Sequence, residues 1–171
     1  MKLTETREIA APPSVVWAGI LDPEVLKQCV PGCQEMSGSP DEGFTAVVVQ
    51  KVGPVKATFK GQVTLSDMVP EQSIKLSGEG KGGAAGFAKG GALVTMEPSG
   101  DGTKLTYDVE ASVGGKLAQL GSRLIDGFAK KMADQFFTNF QTVVEGEEGE
   151  EPPAEDAPEA EKKSWLKRAF S

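Results

Sequence analysis

KLAQLGSRLIDGFAKKMADQFFTNFQTVV, residues 116–144, is the stretch whose reading decides the fold. Leu117, Leu120, Gly121, Leu124, Ile125, Phe128, Met132, Phe136 and Phe140 recur at three- and four-residue steps. At about 100° per residue they share one broad face. Arg123, Asp126, Lys130, Asp134 and Gln141 fall on the opposite one. Asp126–Lys130 and Lys130–Asp134 are i,i+4 pairs, each expected to support the solvent side by roughly 0.2–0.5 kcal/mol. The spacing predicts one long amphipathic helix, opened after Gly114-Gly115 and closed near Gly146. So wide an apolar face needs an apolar partner, and nearly everything before it reads as strands. The expectation is a helix laid across a sheet.

Upstream of the helix, the alternation of Leu105, Tyr107, Val109, Ala111 and Val113 marks a strand over Thr103–Val113. Further back, strands are expected at Ala84–Met96 and Ser73–Ser77. Val55–Asp67 is the clearest: Val55, Ala57, Phe59, Val63 and Leu65 alternate with Lys56, Thr58, Lys60, Gln62, Thr64 and Ser66. Gly43–Val52 and Lys2–Ile9 are two more. Between these last two lie two short helices. Pro12-Pro13-Ser14 opens the first, whose apolar side is Val15, Val16, Trp17, Ile20 and Leu21. Asp22-Pro23-Glu24 supplies the second with a cap, a proline at the first helical position and an early acid. Val30-Pro31-Gly32 stops it. Connections this short imply antiparallel meander pairing.

A chain of 171 residues is long enough to bury roughly two-thirds of its unfolded surface. It holds no apolar run long enough to span a bilayer. Met1–Glu8 is a polar alternation without an apolar h-region, so no secretory signal is expected. Two cysteines fit a reducing cytosol and no disulfide framework. The net charge of −7 argues against a nucleic-acid partner. That average conceals three different objects. Residues 1–144 are nearly balanced at −2, residues 145–161 carry −9, and residues 162–171 carry +4.

Gly78–Gly91 reads GEGKGGAAGFAKGG. It lacks the ending and the strand–loop–helix setting of a phosphate-binding loop. A turn with small residues where backbones approach closely is the plain reading. A further reading puts Lys89 outward and Gly86, Ala88, Gly90, Ala92 and Val94 inward. Small side chains under a helix bearing large ones leave unfilled volume, and interiors rarely keep voids larger than a water molecule. A persistent void here would be a binding cavity. Its candidate lining is Phe59, Val63, Gly86, Ala88, Gly90, Ala92, Tyr107 and Val109 from the sheet, with Leu120, Leu124, Phe128 and Met132 from the helix. Ala88→Trp or Gly90→Leu is expected to fill space there. Pro13–Leu21, Pro23–Cys29 and a turn at Gly78–Gly83 are the expected mouth.

Cys29 and Cys33 stand in CVPGC, and the chain has no histidine. A zinc site, which favours four cysteine and histidine ligands, is therefore not expected. A redox pair and simple turn packing remain as readings of the two thiols. The absent histidine removes the commonest general base and any Ser-His or Cys-His nucleophile. Asp108 and Glu110 fall on the outward phase of their strand. No catalytic residues are assigned, and enzymatic activity is not expected.

The order of elements resembles the START-like (SRPBCC) helix-grip fold. More narrowly, the chain resembles the CoxG family of carbon monoxide dehydrogenase. The matching motifs are VW at 16–17, DPEVL at 22–26, VPGC at 30–33, VGPVKATFKG at 52–61, GEGKGGAAGFAKG at 78–90, GTKLTYDV at 102–109 and GGKLAQLGSRLIDG at 114–127. They run in order from residue 1 to about 141. The resemblance implies an α+β helix-grip (START/Bet v 1-like) domain. In it a curved antiparallel sheet of about seven strands grips a long C-terminal helix, with two short helices beside it. It also implies an accessory protein of the aerobic, molybdenum-containing CO dehydrogenase, which recruits that enzyme to the cytoplasmic membrane. The hydrophobic ligand implied is respiratory quinone, ubiquinone or menaquinone, with no covalently bound cofactor. A recruitment adaptor without ligand, and a START-like carrier or enzyme for another hydrophobic molecule, stay open as alternatives.

Domain boundaries follow from composition: a ligand-binding domain at 1–144, an acidic linker at 145–161 and a basic segment at 162–171. EGEEGEEPPAEDAPEAE has no aromatic or β-branched residue, so it is expected to be a disordered tether spanning roughly 23 Å. KKSWLKRAFS follows. In a helix, Trp165, Leu166 and Phe170 share one face, while Lys162, Lys163, Lys167 and Arg168 supply charge. That is the chemistry of an interfacial anchor on an anionic membrane. The expected location is cytoplasmic, peripheral on the inner face of the cytoplasmic membrane.

Overall fold

The computed structural model describes residues 1–149. Seven strands form one antiparallel sheet in the order β1-β7-β6-β5-β4-β3-β2. They are β1 (Lys2–Ile9), β2 (Cys33–Ser39), β3 (Gly43–Val52), β4 (Val55–Val69), β5 (Ser73–Lys81), β6 (Phe87–Ser99) and β7 (Gly102–Gly114). Helices α1 (Pro13–Ile20) and α2 (Pro23–Cys29) lie between β1 and β2; α3 (Lys116–Gln119) and α4 (Ser122–Gly149) follow β7. From β2 to β7 each strand pairs with its sequence neighbour, and β1 returns to pair with β7. This is the expected helix-grip architecture.

The expected local signals act as read. Pro13 opens α1 and Pro23 opens α2, where the Asp22 side chain accepts from the Glu24 amide at 2.9 Å. Four expectations need correction. The helix over 116–144 is broken: Leu120 ends α3, and Gly121, at φ +90°, takes a left-handed turn that other residues avoid. The helix also runs past Val144 to Gly149, into the stretch read as linker. β5 runs on through Gly78 and Gly80 to Lys81, so the turn is Gly82–Gly86, containing a 3-10 turn at Gly83–Ala85. Cys33–Ser39 is a strand that its composition concealed, with Met36 as its one large apolar residue. The basic segment 162–171, with Lys162, Lys163, Trp165, Leu166, Lys167, Arg168 and Phe170, lies outside the described residues, as does the linker beyond Gly149.

Ile9, Val16, Ile74, Leu105, Phe140 and Val144 are the largest of the fully buried apolar residues. Thr103, buried beside them, gives its hydroxyl to the Ala11 carbonyl at 2.7 Å. α4 is tied down mainly by its second half. Asn139 donates to the Cys29 carbonyl at 3.0 Å, Gln141 to the Glu8 carbonyl at 3.1 Å, and Glu145 accepts from the Ala10 amide at 2.9 Å.

Candidate functional site

Register places inward side chains in rows that cross the sheet, and the size of those side chains falls steadily along it. Met96 and Leu105 share one row, Ile74, Val94 and Tyr107 the next, then Leu76, Ala92 and Val109. After these comes Phe44, Val63, Gly78, Gly90 and Ala111, and then Met36, Ala46, Gly61, Gly80 and Ala88. Over the large rows α4 lays Phe137 and Phe140, both buried. Tyr107 and Phe137 stack there at 4.7 Å between ring centres. Over the small rows nothing compensates. A Cβ built on Gly80 meets no atom within 4 Å, and one on Gly61 meets only backbone oxygens, at 3.6 Å and beyond.

The result is a cavity of about 610 Å³, within the range of small-molecule sites. Its far wall is Ile20, Leu26, Val30 and Pro31 from α1, α2 and the turn that follows, and its roof is Met132, Ala133, Phe136 and Phe137 of α4. Gln62, Glu79, Lys89 and Glu110 also border it, but strand alternation points their side chains to the outer face. Tyr107 is the polar side chain that faces inward, and its hydroxyl is engaged by Glu5 and Arg7. A hollow of about 860 Å³ on the outer face, bordered by Lys2, Gln62, Glu79, Lys89 and Glu110, lacks an apolar wall. The inner cavity is therefore the candidate site.

Of the residues read from sequence as cavity candidates, Val63, Ala88, Gly90, Ala92, Tyr107, Val109 and Met132 border this space. Phe59, Gly86, Leu120, Leu124 and Phe128 do not. Phe59 covers Gly82, where a Cβ would run into its ring, and Leu124 covers Gly53. Gly86, at φ +111°, is pressed against the Gly114 carbonyl in the β5–β6 turn. Leu120 caps α3, and Phe128 lies half-buried on the first half of α4. Gly90 borders the cavity but does not leave room: its Cβ would overlap the Glu110 carbonyl oxygen. The expectation that Gly90→Leu fills space is corrected accordingly. Gly61, Gly78 and Gly80 were missed. The period-two glycines of GEG were the available signal, once β5 is continued through them.

One side of the site is closed by charge. β1 is an edge strand, and its inward positions include Glu5 and Arg7, a device that discourages edge-to-edge pairing. Arg7 pairs with Asp134 of α4 and lies 5.4 Å from the centre of the Phe137 ring. Lys130 reaches Glu5 and Asp134, each at 2.8 Å. Lys130 and Asp134 thus clasp α4 to β1 and do not merely line a solvent face. The hydrogen bond from Lys130, then that from Tyr107, holds the Glu5 carboxyl below its ordinary pKa. Lys130, then Arg7, does the same for Asp134. Burial pushes the Cys29 thiol up to about 12, so it stays protonated near neutral pH. Cys29 and Cys33 are free thiols. Among the described residues no group of acids and cysteines is arranged to hold a metal, and no helix is long and apolar enough to cross a membrane.

Comparison with known proteins agrees with this geometry. A family model described as carbon monoxide dehydrogenase CoxG matches residues 6–145. No curated protein matches the chain. A conserved protein from Geobacillus kaustophilus superposes with a TM-score of 0.80 at 27% identity, covering 86% of this chain and 97% of that one. A protein from Rhizobium leguminosarum gives a TM-score of 0.65 at 19% identity, covering 85% and 94%, and shares the fold. With motifs, fold and family model in accord over most of its length, the chain belongs to the carbon monoxide dehydrogenase CoxG family.

Proposed function

We propose that the protein is an accessory protein of a molybdenum-containing CO dehydrogenase, carrying respiratory quinone in its cavity and holding the enzyme at the inner face of the cytoplasmic membrane. Family membership supports the enzyme partner. The taper of the inward rows is the observation that carries the ligand: it leaves about 610 Å³ walled by hydrocarbon. Such a site selects apolar bulk, because a polar group placed there without a partner costs about 1–3 kcal/mol. Val63, Ala88, Ala92, Val109 and Met132 are the contacts offered to an isoprenoid or a flat ring. The inward-facing side chains offer no unengaged acid or base, which supports carriage without turnover. The basic segment 162–171 is the proposed anchor, leaving the domain free to visit both bilayer and enzyme.

The test is organic extraction of the purified protein followed by mass spectrometry. Co-purifying ubiquinone or menaquinone is the expected result. An empty protein that still recruits the enzyme to membranes would establish an adaptor instead, and chemical change of an added ligand would establish an enzyme.

A further inference from the structure

The two ends of the sheet carry opposite charge. At one end the β3–β4 hairpin, the β5–β6 turn and the passage from β7 into α4 converge. A Cβ at Gly53 would lie 3.1 Å from Leu124, and one at Gly115 would lie 2.7 Å from Gly86. Residues 51–56, 81–87 and 114–124 contribute Lys51, Lys56, Lys81, Lys116 and Arg123, and no carboxylate. Lys81 pairs with Glu79 at 3.6 Å, both well exposed. Leu124 and Phe87, 37% and 41% exposed, stand among these cations. At the other end the turns over 39–43, 67–72 and 97–102 contribute Asp41, Glu42, Asp67, Glu71, Glu97 and Asp101, and no cation. α4 finishes at that acidic end, where Glu145 binds the Ala10 amide.

Gathering like charges at one end raises their mutual repulsion and does nothing for the core. We propose that the basic end is a docking surface for an anionic bilayer, with its cations among lipid phosphates and Leu124 and Phe87 entering the headgroup layer. Cations beside exposed apolar tips are the chemistry of interfacial binding. Mobile headgroups can meet charges spread over three separate turns, whereas an acidic protein would have to match them at fixed positions. The same orientation turns the acidic end away from the bilayer. The chain's own acidic run is a poor occupant. It departs from the far end of α4, whose 28 residues span about 42 Å. From Gly149 to Glu161 the chain extends at most about 40 Å. Only a fully straightened segment would arrive, against its conformational entropy.

This inference rests on the reading that the protein works at a membrane, not on the identity of the ligand. Its test is sedimentation of the full chain with phosphatidylcholine vesicles with and without phosphatidylglycerol. Lys51→Glu, Lys56→Glu, Lys116→Glu and Arg123→Glu together should lower partition onto the anionic vesicles at least about tenfold, each cation contributing several-fold. The melting temperature should stay at or above that of the parent. The same positions changed to alanine serve if the reversed variant fails to fold, with a smaller loss expected. Tryptophan at Leu124→Trp should be quenched by brominated lipid. If the reversed and neutral variants bind as the parent does while Trp165→Glu does not, the tail alone anchors the protein; this inference is then overturned and the carrier reading stands. Unchanged vesicle binding with lost retention of CO dehydrogenase would make the basic end a protein dock, which also overturns it. A parent that ignores anionic vesicles overturns both this inference and the proposed anchor.

Discussion

Under the second half of α4 the sheet presents Ile9, Ile74, Val94, Met96 and Leu105; toward the first half it presents Gly61, Gly78, Gly80 and Ala88. The helix and the strands are the same in both places, and both halves obey the inward–outward alternation. In the first region phenylalanines meet branched aliphatics and water is excluded. In the second, methionine and alanine face bare backbone and a cavity remains. Cohesion and vacancy are therefore distributed along one sheet by side-chain size. The packed half, with the ties of Asn139, Gln141 and Glu145, holds the fold while the other half stays open.

The largest expected effect lies in the packed half. Phe140 is fully buried, 5.8 Å from Phe136 and 6.2 Å from Phe137 between ring centres. Phe140→Ala should cost about 3–5 kcal/mol in urea unfolding, by lost transfer energy and an unrelaxed cavity. A loss under about 1 kcal/mol would erase the distinction between the two halves.

Two glycines of the open half sharpen the comparison. Gly90→Leu drives a side chain into the β7 backbone and should cost at least about 1–3 kcal/mol, as overpacking does. Gly80→Leu enters empty space and should change stability by less than about 1 kcal/mol, while ubiquinone or menaquinone uptake falls. Equal destabilisation by the two would mean that the space beside Gly80 is not open in solution.

The smallest effect belongs to the clasp between the halves. The Glu5 pKa is held below its ordinary 4.5 in the folded state. Its contribution is then fully present above that value and is lost as pH falls through the lower, folded one. The stability gap between the parent and Glu5→Gln should therefore be widest near neutral pH and should narrow below about pH 4.5. A gap that widens on acidification would contradict the ion-pair description of Glu5, Lys130 and Asp134. The clasp is largely exposed, so solvent screening keeps the gap modest.

Most of the fold was legible because its signals are local. Val55–Leu65 alternates over consecutive residues, Asp22-Pro23-Glu24 caps a helix within its own first turn, and the apolar face of α4 repeats along one segment. β2 was illegible because CQEMSGS has one large apolar residue to set its phase. The break at Gly121 was hidden because a glycine fits an apolar helical face as well as it fits a left-handed turn. Among the cavity candidates, the β6 positions Ala88 and Ala92 were reached by alternation alone. Phe59, Gly86, Leu120, Leu124 and Phe128 were placed on the correct face but at the wrong height along it, since facing inward does not say which row a residue joins.

By itself, then, the sequence determined the types of element, the faces they bury, the scarcity of large side chains between Gly78 and Gly91, and the charge of each turn. Only the tertiary structure decided that Gly61, Gly80 and Ala88 stand in one row, that Gly90 touches backbone while Gly80 touches nothing, and that three basic turns share one end. Periodicity and capping depend on neighbours in the chain, within a few residues. Register, vacancy and the gathering of charge depend on strands brought together from distant parts of the chain, and no single segment contains that information.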